Sequence, residues 1–180
     1  MGLSAGGEVA GRMPSELHES LAAQGVKWFR RQGFGVIAAD LAALGCRERA
    51  DVVAFRSQCC AIIEAKASRA DFFADLRKPE RMNGGLGLYR FYICPPGLLQ
   101  ASELPAGWGL IYADGRKVTD VVRPLGNLWP GPGTMFESWA AFQQQNDSDA
   151  ERSVLYSISR RLVLGKPIVK RTVNVSGAEN

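Results

Sequence analysis

Arg49-Ala50-Asp51-Val52-Val53-Ala54-Phe55-Arg56-Ser57-Gln58-Cys59-Cys60-Ala61-Ile62-Ile63-Glu64-Ala65-Lys66 is the stretch whose reading decides the fold. Two apolar runs rich in β-branched residues, 51–56 and 59–66, flank Ser57-Gln58, and they predict two strands. A two-residue turn at Ser57-Gln58 pairs them antiparallel and sets Asp51 directly opposite Glu64. Directly opposed residues share a face, with Cβ atoms ~4.5–5.5 Å apart. Strand alternation puts Lys66 on that same face, followed by Ile62, Val53 and Phe55, while Val52, Ala54, Ile63 and Ala65 take the other. Apolar residues on both faces mark the pair as central in a sheet. Ser-Gln is not a favoured tight-turn dipeptide, and a slip of one residue would separate the two carboxylates.

Outward from this pair, Gly and Pro mark the joints. Ser15 is the predicted N-cap of a helix running to about Gln32 and stopped by Gly33. Leu17, Leu21, Trp28 and Phe29 fall on one side of it, with Glu19 at the edge of the apolar arc. His18, on the apolar side, reads as a core histidine. A short strand is expected at 36–39, and a helix at 68–77 capped by Ser68 with Asp71 at its third position. A strand at 90–94 ends at Pro95-Pro96-Gly97, and strands at 110–113 and 117–122 flank an Asp114-Gly115 turn. Helical patterns return at 136–145 and 149–164. The expected class is α/β: a mixed central sheet flanked by helices, with extra C-terminal helices. The division that follows is a flexible leader at 1–13, a core at 14–123, a Gly/Pro-rich linker at 124–133 and a helical extension with a basic tail at 134–180.

With 180 residues, 46% of them hydrophobic, the chain is long enough to bury a core of its own. Its longest apolar runs fall far short of a membrane span, and 1–13 lacks the apolar segment of a secretory signal. Cys46, Cys59, Cys60 and Cys94 form no C-x-x-C pair, and with one histidine they make no zinc site. They read as small buried hydrophobes in a cytoplasmic protein. The net charge of +4 is uneven: Arg152, Arg160, Arg161, Lys166, Lys170 and Arg171 come with no acid between the first and the last. Such a run points to a polyanion partner, nucleic acid rather than membrane, or to a solvated helix face.

Charged residues in a central strand pair are costly without partners or work. Asp51 and Glu64 repel each other, and a hard divalent cation, Mg²⁺ or Mn²⁺, would remove that cost while leaving room for water and a phosphate. Lys66 could position the water or neutralise charge on the phosphorane. The structural alternative is a plain ion pair at the sheet rim. Arg69, Arg77 and Lys78 on the following helix, with Tyr89 and Arg90 before the next strand, are candidate substrate contacts. Asp71 and Asp75 stand four apart on that helix. Glu48 reads as an exposed loop acid, with a supporting role for Asp51 the alternative. Trp28, Trp108, Trp129 and Trp139 have no regular spacing and read as core or loop anchors.

A helix acid (Glu19), then Asp51, then Glu64-Ala65-Lys66 on the next strand, then a helix, resembles the core of the PD-(D/E)XK nuclease superfamily, with Ala50 in place of the Pro of the name. Residues 64–97 are similar to MmcB-like DNA-repair nucleases and related phage and prophage proteins, and the likeness runs over about 18–122. The resemblance implies a restriction-endonuclease-like core and a Mg²⁺- or Mn²⁺-dependent deoxyribonuclease, an endonuclease of repair, recombination or phage DNA processing. It implies Asp51 and Glu64 as metal ligands, Lys66 as catalytic lysine and Glu19 as the helix acid that some members add. A nucleic-acid-binding module that does not cut, and an RNA-processing nuclease, are the alternatives. A homodimer, each site cutting one strand, is compatible with this chemistry, and no heptad marks its interface.

Overall fold

The structure, a computed structural model, describes residues 14–81 and 84–169. Helix α1 (Pro14–Arg31) has proline in its first turn, where a missing N–H is tolerated, so Ser15 lies inside that turn and not at its cap. Glu16 in the first turn and Arg30 and Arg31 in the last complement the helix dipole. Gly33, at φ +82°, ends the helix: its N–H donates to Arg30 O (3.0 Å) and that of Phe34 to Phe29 O (3.1 Å).

Strands β1 (Val36–Ala39), β2 (Val52–Phe55), β3 (Cys60–Ala65), β4 (Tyr89–Cys94), β5 (Trp108–Ala113) and β6 (Val118–Val122) form one sheet in sequence order. The pairs β1–β2, β2–β3 and β5–β6 are antiparallel; β3–β4 and β4–β5 are parallel. Helix α2 (Arg69–Asp75) and a 3₁₀ turn at Pro79–Arg81 carry the chain from β3 to β4. Helices α3 (Glu137–Ala140) and α4 (Ser148–Val163) follow the sheet. The molecule is α/β, a mixed sheet flanked by helices.

Val52 pairs with Ile63 and Phe55 with Cys60, the register expected of a turn at Ser57-Gln58. Asp51, one step beyond Val52, is therefore level with Glu64. Two apolar layers hold this register, since a slip would exchange them. On the α1 face, Leu21, Trp28 and Phe29 pack with Val52, Ala54, Ile63 and Phe91. On the other face, Phe72 of α2 and Val154 and Ile158 of α4 pack with Val53, Ile62, Tyr92 and Leu110. Each large side chain buried this way contributes about 1.5–3 kcal/mol. At Gly109 a Cβ would stand 2.2 Å from the Phe91 ring, so glycine is what lets β5 accept that ring.

The 124–133 stretch is a largely exposed loop that Trp129 ties into the core. Trp129 is buried at the centre of the α1 face, its ring 4.8 Å from Phe34, 5.4 Å from Tyr89 and 5.1 Å from Trp139 of α3. The C-terminal helices thus share the core of the strands. The helix expected over 136–145 is a single turn, because Gln144 N donates to Leu88 O (2.8 Å) instead of continuing it. All four tryptophans are buried, as are Cys59, Cys60 and Cys94. The leader at 1–13 and the tail residues Lys170 and Arg171 lie outside the described residues. No described helix is long and apolar enough to cross a membrane.

Candidate active site

Glu64 and Lys66 leave the end of β3 on the α2/α4 face, and both are nearly inaccessible, at 2% and 3% exposure. The Lys66 amide donates to Ile93 O (2.9 Å), so its backbone stays fastened to β4 beyond the last strand residue. Across the pair, Asp51 Oδ2 accepts the Ala65 amide at 2.8 Å and His18 Nε2 at 3.1 Å. The structure brings Asp51, Glu64 and Lys66 together.

Helix α2 begins three residues after Lys66, capped by Ser68, whose Oγ accepts the Asp71 amide (3.2 Å). One turn later it delivers Asp75, 1% exposed, to the same place. Lys66 Nζ lies 3.5 Å from Glu64 Oε2 and 3.4 Å from Asp75 Oδ1. Arg81, from the 3₁₀ turn, grips Asp75 with two hydrogen bonds of 2.9 Å, meets Glu64 Oε1 at 3.0 Å and donates to Glu48. Glu48 also accepts the Leu86 amide, Tyr92 OH donates to Asp75 Oδ2 (3.0 Å), and Lys78 Nζ sits 2.8 Å from Asp75 Oδ1. Three carboxylates and three cations thus balance within one cluster.

Their titration follows from this placement. Burial pushes the Glu64 carboxyl up to about 7; Arg81 opposes the shift and the nearby Asp51 charge adds to it. Burial would also raise Asp75, but the Arg81 hydrogen bonds and Lys66 outweigh it and hold that carboxyl below the usual range. The Asp51 hydrogen bond raises His18 against the opposing effect of burial. Glu64 Oε1, although ion-paired with Arg81, accepts no hydrogen bond of good geometry.

That unmet acceptor and the Asp51–Glu64 repulsion fit a cation. The hydrogen bonds to Asp51 among the described residues, from His18 and the Ala65 amide, both fall on Oδ2 and not on Oδ1. Among the described residues no group of three His, Cys, Asp or Glu side chains is arranged to enclose a metal. The set offered is two carboxylates, hard oxygen donors of the kind that suit Mg²⁺ or Mn²⁺.

Several expected residues lie elsewhere. Glu19 is exposed, and its neighbour His18, 37% exposed and not a core residue, makes the contact with Asp51. Tyr89 is buried in the opposite layer, where its hydroxyl donates to Pro130 O (2.7 Å), so it reaches no substrate. Arg90 is buried too, and its guanidinium donates to the carbonyls of Glu80, Gly84, Gly87 and Gln145, binding a loop together. Arg69 is exposed but paired with Glu103. Arg77 is exposed beyond the end of α2, whereas Lys78, half-exposed next to it, reaches the cluster through Asp75. Glu48 is a buried partner of Arg81 and not a loop acid in solvent. Sequence reasoning missed Asp75 and Arg81 as cluster members; Asp75 stands three after the core residue Phe72, a spacing that shares a helix face, whereas nothing local marks Arg81.

No family model matches the chain, and no curated protein is significantly similar to it. Among solved structures the fold is similar to that of the SPO1766 protein of unknown function from Silicibacter pomeroyi, with a TM-score of 0.55 and 22% identity over 82% of this chain and 88% of that one. The likeness is one of fold.

Proposed function

We propose that this protein is a Mg²⁺- or Mn²⁺-dependent nuclease acting on DNA, of the PD-(D/E)XK type. The observation that carries the reading is the convergence of Asp51, Glu64 and Lys66 at one end of the β2–β3 pair, with an unsatisfied Glu64 oxygen in a buried site. Asp51 and Glu64 would hold the cation, whose chemistry there would be activation of a water nucleophile and charge neutralisation at the phosphate. Lys66, with its charge fixed in the interior, stabilises the negative charge that grows on the phosphorane. His18 keeps Asp51 oriented from the accessible side. Arg77 and Lys78 offer exposed charge to the phosphate backbone next to the site.

A second reading, a nucleic-acid-binding module that does not cut, draws support from the near-complete burial of Glu64 and Lys66 among Asp75 and Arg81. Incubation with supercoiled and linear DNA, and with RNA, in Mg²⁺, Mn²⁺ or chelator separates these. The nuclease reading expects metal-dependent nicking of the closed circle that Lys66→Ala removes. Binding without cleavage in either metal favours the module, and cleavage of RNA alone makes the substrate RNA.

A further inference from the structure

We propose that Asp75 is the positioning residue of Lys66: anchored by Arg81 and Tyr92, its carboxylate fixes the ammonium beside Glu64. The inference rests on the nuclease reading and names a residue through which that site is built.

A lysine stem is long and freely rotating, and a useful charge at its end needs fixing. Among the described residues Lys66 Nζ meets Glu64 Oε2 at 3.5 Å, Asp75 Oδ1 at 3.4 Å and the Tyr92 ring, 5.7 Å to its centre. Glu64 cannot be the constant partner, because the reading assigns its carboxylate to a cation. Asp75 can. Its own place does not depend on Lys66: Arg81 holds both its oxygens at 2.9 Å, and Tyr92 OH adds a bond of 3.0 Å. Arg81 is in turn tied to Glu48, which accepts the Leu86 amide. The line of support thus runs from the loop before β4, through Arg81 and Asp75, to the Lys66 ammonium. Burial obliges both Asp75 oxygens to be hydrogen-bonded, and Arg81 and Tyr92 meet that need without Lys66.

Two variants and two readouts test this. Asp75→Asn keeps the shape and removes the charge; Tyr92→Phe removes one support and leaves Asp75 intact, so it remains informative if the first does not fold. In steady-state DNA cleavage, Asp75→Asn is expected to lower kcat roughly ten- to hundredfold with KM unchanged. Tyr92→Phe is expected to lower kcat roughly fivefold. Lys66→Ala combined with Asp75→Asn should be no slower than Lys66→Ala alone, since Asp75 acts through Lys66. Independently of activity, the ¹⁵N-coupled ammonium signal of Lys66, protected from exchange in the parent, should broaden or vanish in both variants. An unaltered Lys66 signal in the variants would overturn the proposal, as would a raised KM with unchanged kcat or a further tenfold loss in the double variant. A parent protein that cuts no DNA refutes the nuclease reading, and the ammonium signal then decides the positioning by itself.

Discussion

The backbone amide of Ala65 donates to Asp51 Oδ2 over 2.8 Å, so the acid at the start of β2 is locked to the strand end that carries Glu64 and Lys66. This bond joins two elements that alternation alone would leave merely level with one another. It also decides which Asp51 oxygen stays available, and several expectations follow from that.

Asp51→Asn retains an oxygen for the Ala65 amide and loses the charge that repels Glu64. Cleavage should disappear, while the melting temperature of the metal-free protein stays level or rises. Calorimetry and a nicking assay on the same preparation check both halves.

Lys66→Ala should lower kcat by roughly a hundredfold or more, corresponding to ~3–4 kcal/mol of transition-state stabilisation, with little change in DNA affinity. The variant also removes a cation next to Glu64 and Asp75. Glu64 answers by taking up a proton at low pH, so the loss of stability should be smaller at pH 6 than at pH 8. Denaturant titration at the two values measures it.

For Glu64 the folded-state carboxyl titrates near 7, above the ordinary value of 4.5, so the folded protein binds a proton more tightly than the unfolded chain. The resulting stability is fully present below the unfolded pKa and is lost as pH rises through the folded one. Apo-protein stability should therefore fall between about pH 4.5 and 7, by at most about 1.4 kcal/mol per pH unit from this group. Glu64→Gln should flatten that slope. Because the cation competes with the proton, the stabilisation by Mn²⁺ should grow from pH 6 to pH 8, which thermal melts read directly.

Arg81 compensates Glu48, Glu64 and Asp75 together. Arg81→Gln leaves buried charge unpaired and should cost about 3–5 kcal/mol. A loss below 1 kcal/mol in urea unfolding would contradict the cluster as described.

Helix α4 packs through Ala150, Val154 and Ile158 and leaves Arg160 exposed, with Lys166 exposed beyond its end. If these cations meet phosphates, Arg160→Gln with Lys166→Gln should reduce the log–log salt slope of duplex binding by roughly two. An unchanged slope would make α4 a structural cap only.

Much of this architecture was legible in the chain. Alternation in 51–56 and 59–66, apolar on both faces, left one register that kept the layers intact, and the observed pairing of Val52 with Ile63 is that register. The reading failed where contacts are distant. Tyr89 and Arg90 are the first two residues of β4, and strand alternation sends the tyrosine into the α1 layer, while the arginine folds back onto the carbonyls of the preceding loop. His18 reads as apolar on a helical wheel, but the first turn of α1 meets Asp51, a partner 33 positions away. Trp129, read as a core or loop anchor, is one, but the Gly/Pro-rich composition around it does not show that the aromatic pocket of Phe34, Tyr89 and Trp139 ties that stretch to the core. Arg81 carries no local signal, and Asp75 reads in the sequence only as one of two helix acids, because their meaning lies in Lys66, Glu64 and Glu48, which local sequence does not bring to them.

The account stands most directly on a crystal of the protein soaked in Mn²⁺ and measured at the manganese absorption edge. It predicts one anomalous peak between Asp51 Oδ1 and the Glu64 carboxylate, lost in the Asp51→Asn crystal. Absence of a peak there under saturating Mn²⁺, with Glu64 still paired to Arg81, would contradict it.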